Sequence, residues 1–175
     1  ACTQGAVSAS SPAIDIEYMF LQIRARSVGE NIDLVLTCGN CEHKTDAKLA
    51  ITSIKPSSAK KHEHNIDLGN ITLTLKDPNL LQITEFKNNP EVEGLIKLLA
   101  QSIDKIWQGE EVFDSKDYGL NDLIEFVEHL SPQNLTKLEE FFETLPVLRH
   151  ELDFTCPQCS KENTAVLEGL QSFFV

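Results

Sequence analysis

Two Cys-x-x-Cys pairs constrain this chain more than any other feature: Cys38 and Cys41 in "LTCGNCEHKT", and Cys156 and Cys159 in "FTCPQCSKEN". Apolar residues alternate into each pair, through Ile32, Leu34 and Leu36 in one case and Leu152 and Phe154 in the other. Alternation of this kind predicts a β-strand, and its resumption after each pair places the cysteines at the tips of two hairpins. The two-residue gap lets both sulfurs of one turn reach a single ion. Gly39 and Pro157 suit a tight turn whose backbone amides face those sulfurs. Two such knuckles supply four thiolates, the full set of a closed tetrahedral zinc site.

The competing chemistries are disulfides and a redox dithiol. A disulfide framework belongs to short secreted chains, and no basic stretch followed by an apolar run opens this one. A redox dithiol needs one pair at the start of a helix, whereas here both pairs sit on hairpin tips. Zinc is therefore the expected cofactor, bound by Cys38, Cys41, Cys156 and Cys159. With all four positions filled by protein, its role is structural rather than catalytic. His43 reads as a turn histidine rather than a substitute ligand, and Cys2 as a small hydrophobe. Because Cys41 and Cys156 are 115 positions apart, one shared ion would make the two ends of the chain a single structural unit. The middle becomes an insertion, and the metal offsets the entropy of closing so long a loop.

Between the knuckles the period changes. Ser11-Pro12 is a helix-start pair, and a helix through "AIDIEYMFLQIRARSVG" would carry Ile16, Met19, Phe20 and Ile23 on one side and stop near Gly29. "AKLAITSIK" reads as a strand, "SSAKKHEHN" as a loop whose His62 and His64 are solvated rather than metal ligands, and "NIDLGNITLTLKDP" as strands with a turn near Gly69. Helical spacing then runs through Val92, Leu95, Ile96, Leu99, Ile103 and Ile106, and again through Leu120, Leu123, Ile124 and Val127. A third helix starts at Ser131-Pro132 and carries Leu135, Leu138, Phe141, Phe142 and Leu145. Trp107 falls at the end of the first of these helices, as an interface anchor or a core residue.

The expected fold class is α+β: a small antiparallel zinc-ribbon-like region built from the two Cys-x-x-Cys hairpins, with an inserted helical region. The expected divisions are an N-terminal helical segment (1–30), the first knuckle hairpin with a small sheet (31–88), a helical insertion (89–148), and the second knuckle hairpin with the C-terminal tail (149–175). The opening "ACTQGAVSASSP" reads as a truncated or processed N-terminus.

Charge narrows the partners. Lysine and arginine number 15 against 27 acidic residues, for a net charge of -12. Such a chain repels phosphate backbones and anionic headgroups, which argues against nucleic acid and membrane surfaces. The acidic clusters "GEEVFD" and "LEEFFE" lack an accompanying histidine or serine constellation, and Glu139, Glu140 and Glu143 read as the solvated side of a helix. No phosphate-binding loop, nucleophile elbow or zinc-protease motif occurs. Neither catalysis nor a small-molecule substrate is expected.

The order of segments is distinctive. "DIEYMFLQIRARSVGE" (Asp15 to Glu30) precedes the first cysteine pair, and "LEGLQSFF" (Leu167 to Phe174) follows the second. In these segments and in its cysteine pairs the chain resembles the baseplate hub family of T-even-like contractile-tailed bacteriophages, comprising the small hub subunit or hub-assembly protein. The resemblance covers most of the chain, although the helical middle matches by pattern alone. It implies a non-enzymatic role in building the hub, partners among other hub or tail proteins, and a location in the virion tail baseplate or in the host cytoplasm during assembly. It also implies a further N-terminal region before the first helix. Arg24, Arg26 and Glu30 lie in the most specific motif and become interface or fold-bridging candidates, with Trp107, Phe173 and Phe174 as further interface candidates; of these, Phe173 and Phe174 read first as packed on the knuckle hairpins and second as inserted into a partner. The rival reading is a zinc-ribbon regulator that binds nucleic acid or the transcription machinery.

Overall fold

The computed structural model describes residues 8–58 and 60–173. In chain order its elements are α1 (Ala13–Ser27), β1 (Asn31–Thr37), β2 (Lys44–Ala50), β3 (Pro56–Ser57), β4 (Asn65–Asp67), β5 (Thr72–Leu75), α2 (Leu80–Asn88) and α3 (Val92–Ser102). They continue with β6 (Ile103–Gln108), β7 (Glu111–Asp114), α4 (Leu120–Glu128), α5 (Pro132–Glu143), β8 (Val147–Thr155) and β9 (Glu162–Glu168). Within the described residues the chain forms two compact units, one from 14–57 and 146–173 and the other from 8–13, 58 and 60–145. The class is mixed α+β with antiparallel sheets. No described helix is long and apolar enough to cross a membrane.

The first unit is discontinuous in sequence and holds all four paired cysteines. β1 and β2 pair from Asn31↔Ala50 to Thr37↔Lys44, and β8 and β9 from Arg149↔Glu168 to Thr155↔Glu162. The short β3 adds to the edge of β8. Strict alternation in β1 turns Ile32, Leu34 and Leu36 inward. They pack with Leu21, Ala25, Leu49, Ile51, Ile54, Leu148 and Phe173 in one core. Each such large apolar side chain stabilises the unit by about 1.5–3 kcal/mol relative to an exposed one.

α1 corrects the expected helix face. Its inward residues are Leu21 and Ala25, with Ile14 and Tyr18 packed against the same core, whereas Phe20 is 51% exposed. Ile14, Tyr18, Leu21 and Ala25 follow a helical stripe as well as Ile16, Met19, Phe20 and Ile23 do. The segment is apolar around most of its circumference, so spacing alone does not select the side that is buried.

The second unit contains the sheet β4-β5-β6-β7, antiparallel throughout, and helices α2 to α5. Its core gathers Leu73, Leu75, Leu99, Ile103, Val127, Leu138 and Phe141. The helix expected through Ile106 ends earlier, at Ser102, whose hydroxyl donates to the Leu98 carbonyl at 2.9 Å. Ile103 to Gln108 instead form β6 between β5 and β7. The apolar spacing fits both structures, and the β-branched and aromatic Ile-x-x-Ile-Trp run, followed by a turn at Gly109 (φ +62°), favours the strand. In the acidic "GEEVFD" segment Gly109 and Glu110 accordingly form the hairpin turn and Glu111–Asp114 its second arm. α2 was not anticipated, although Asn79 and Gln82 form a reciprocal capping box at its start.

Candidate metal centre

Each cysteine pair lies in the six-residue connection of its hairpin, and the two connections share one backbone pattern. In the first, the Cys38 amide donates to the His43 carbonyl at 2.9 Å and the Glu42 amide to the Cys38 carbonyl at 3.0 Å. In the second, the Cys156 amide donates to Lys161 and the Ser160 amide to Cys156, both at 2.9 Å. The residue after the second cysteine is left-handed in both turns: Glu42 at φ 59° and Ser160 at φ 56°. This bend folds the second cysteine of each pair back toward the first.

The four sulfurs converge. Cys38 Sγ lies 3.7 Å from Cys159 Sγ, Cys41 Sγ lies 3.6 Å from Cys156 Sγ, and all four ligand atoms fall within 4.8 Å of one another. A disulfide needs about 2.0 Å, so these are free thiols. Four sulfurs about 2.3 Å from a central ion would stand about 3.8 Å apart in a tetrahedron, close to the two distances found. Cys38 and Cys156 are buried, and Cys41 and Cys159 partly so. The donor set and its spacing fit one thiophilic ion.

Backbone amides tune the thiols. The Asn40 amide, 3.4 Å from Cys38 Sγ, leads the interactions that hold the Cys38 thiol at about 6; the Cys41 amide and the Cys159 and Cys156 thiols add to it against the opposing effect of burial. At Cys41 the His43 amide lowers the pKa, but burial and the other three thiols outweigh it and push the group up to about 12. The Lys161 amide leads the lowering of Cys159. A proton is thus shared unevenly over a cluster that cannot hold four negative charges without a cation.

Asn163 is a contributor the sequence did not reveal. Its Oδ1 accepts from the Gly39 amide at 3.1 Å and lies 3.6 Å from Cys38 Sγ, while its Nδ2 donates to the Lys161 carbonyl at 2.8 Å. It ties the two turns together across 124 positions. Only the hairpin register, which puts Asn163 opposite Phe154, brings it to the other turn.

The family described as T4 bacteriophage base plate protein matches residues 1–175. The chain belongs to that family. No curated protein and no solved structure matches it. Membership gives this base plate protein a place in the virion tail, among other tail proteins.

Of the remaining nominated residues, Arg24 and Arg26 lie in the last turn of α1, where positive charge favours the helix dipole. Arg24 is half-buried, and Arg26 and Glu30 are exposed. The Glu30 carbonyl accepts from the Ile51 amide at 2.8 Å. Trp107 stands on β6 rather than on a helix, 39% exposed beside Val112, and its Nε1 donates to Thr74 Oγ1 at 2.9 Å. Phe173 is 1% exposed in the core of the first unit. Phe174 and Cys2 lie outside the described residues. His62, expected in a solvated loop, is largely buried and joins His64 at Asp77. Their approach to a carboxylate 13 positions beyond His64 depends on tertiary structure and leaves no local mark in the sequence.

Proposed function

We propose that this base plate protein is a non-enzymatic structural or assembly component of the baseplate hub. One zinc ion on Cys38, Cys41, Cys156 and Cys159 fixes the two hairpins as a ribbon-like unit, and the protein acts through contacts with neighbouring hub or tail proteins. The observation that carries this reading is the convergence of four free thiols in a chain whose whole length matches a base plate family. Four protein ligands leave a tetrahedral ion no coordination site for substrate, so its contribution is to folding. Arg26, Glu30 and Trp107 are the exposed candidates for contact with those neighbours. The net charge of -12 supports basic protein surfaces over nucleic acid as partners.

Quantitative mass spectrometry of the polypeptide in purified tails and in baseplate precursors from one infection tests the role. A constant ratio to other tail proteins in both samples makes it a hub subunit, and enrichment in precursors with loss from mature tails makes it an assembly factor. Absence from both removes the hub reading.

A further inference from the structure

A second cluster of ligating side chains lies in the other unit, where His62 and His64 meet Asp77 just beyond β5. Thr144 Oγ1 lies 2.9 Å from both the Phe141 carbonyl and His62 Nδ1, and its one proton can go to either. His64 Nδ1 is 3.0 Å from the Leu75 carbonyl, which only accepts. A neutral His64 therefore carries its proton on Nδ1, as assigned from its partner, and keeps a lone pair at Nε2. His62 takes the same form when the Thr144 hydroxyl faces the Phe141 carbonyl.

His62 Nε2 lies 2.9 Å from Asp77 Oδ1, a distance that a proton on Nε2 or a metal ion can bridge. The surroundings favour the ion. A proton satisfies His62 and Asp77 alone. It gives no account of His64, whose ring centroid is 4.8 Å from that of His62 and whose Nδ1 is 3.7 Å from the same carboxylate oxygen. Protonating both rings would place two cations in contact. A metal, by contrast, uses all three residues, whose ligand atoms lie within 4.8 Å of one another. Imidazoles that bind metal characteristically donate their other N–H to a protein acceptor, and the Leu75 carbonyl and Thr144 Oγ1 stand ready as those acceptors.

The setting also suits an ion. The side chains of His62 and Asp77 are only 11% and 15% exposed, and the Phe141 ring lies 4.6 Å from His62, so water screens the ion–ligand attraction weakly. His64 is 49% exposed and provides the way in. We propose that His62, His64 and Asp77 form a second metal site, taking one divalent ion of the zinc type through one imidazole nitrogen of each histidine and an Asp77 carboxylate oxygen. Three protein ligands leave the fourth position of such an ion to water.

The test is a zinc titration of the full chain, purified reduced and then dialysed into metal-free buffer, followed by nitrogen NMR of the histidine rings. His129 and His150 serve as internal controls. The expected result is saturable uptake of one ion that shifts one ring nitrogen of each of His62 and His64 while the other nitrogen of each ring keeps its proton. His64→Gln, on the half-exposed side, should abolish that uptake and leave the metal content of the cysteine cluster unchanged. Ring resonances of His62 and His64 that stay fixed through excess zinc overturn the proposal, and so does uptake of equal affinity in His64→Gln. Because the readout is on the imidazoles, it decides this site whether or not the cysteines hold an ion.

Discussion

Cys38 Sγ and Cys159 Sγ lie 3.7 Å apart although 121 positions separate them in the chain. The first cysteine of one hairpin meets the second of the other, and Cys41 and Cys156 repeat the relationship at 3.6 Å. Each sulfur pair therefore bridges the hairpins rather than closing one of them. A metal at their centre would join the two sequence-distant parts of the unit, so its removal should cost stability as well as local order. Chelation, or Cys→Ser at any one of the four positions, is expected to destabilise the protein by about 3–5 kcal/mol and to lower Tm by roughly 10 °C. Elemental analysis should give one zinc for the cluster before chelation. A chelated protein with an unchanged melting curve would remove the structural role of the metal.

Asn163 links the turns independently of the ion, through the Gly39 amide on one side and the Lys161 carbonyl on the other. Asn163→Ala leaves the Gly39 amide without this acceptor and should cost about 1 kcal/mol in chemical denaturation. Because the residue orients a turn that carries ligands, zinc affinity should fall by about tenfold or more. Competition with a chromophoric chelator would measure it. Asn163→Asp keeps the acceptor for Gly39 but loses the donor to the Lys161 carbonyl and adds negative charge beside Cys38, so it should not restore the stability.

The left-handed positions Glu42 and Ser160 make a separate claim. A non-glycine residue in that conformation is strained by about 1–2 kcal/mol, while glycine costs about 0.5–1 kcal/mol through the freedom it gives the unfolded chain. Ser160→Gly should therefore stabilise the protein by up to about 1 kcal/mol, and Ser160→Ala should not. Denaturation midpoints of the two variants separate backbone strain from any effect of the hydroxyl.

Phe173 shows how far a candidate interface residue can be assigned by its burial. Its ring is fully enclosed with Leu21, Ile51 and Leu148. Phe173→Ala should destabilise the isolated protein by about 3–5 kcal/mol, with no partner present. A variant of unchanged stability would return the ring to the surface.

What could be read in the sequence depended on how local the determining interactions are. The hairpins and their cysteines were legible because period-two alternation and the two-residue gap are properties of short segments, as in Ile32, Leu34 and Leu36 before Cys38. α5 was legible through Ser131, which caps it by accepting from the Asn134 amide. The face of α1 was not, because Leu21 and Phe20 are equally apolar and only tertiary packing buries one of them. The α3–β6 boundary was misread because Leu99 and Ile103 satisfy a helical period although Ile103 begins a strand. Asn163, His62 and Asp77 carry no signature in their own segments, and their partners come from register and long-range packing.

Proton linkage gives the last prediction. In the metal-free cluster the Cys38 thiol is held at about 6, below the ordinary 9.0, so its thiolate contributes stability above pH 9 that is lost as pH falls through 6. Cys41 is pushed up to about 12, so its protonated form contributes below pH 9 and that contribution is lost as pH rises through 12. At pH 7, then, Cys38 is ionised and Cys41 holds its proton. Zinc requires thiolates at every position, so binding must displace at least the Cys41 proton. Uptake of zinc by metal-free protein in weak buffer at pH 7 should release about one proton or more per ion, detectable with an indicator dye. Apparent affinity should fall about tenfold per pH unit for each proton displaced, and more steeply below pH 6, where Cys38 is also protonated. Binding without proton release would show that the cluster is already fully ionised, contrary to the opposed shifts of Cys38 and Cys41.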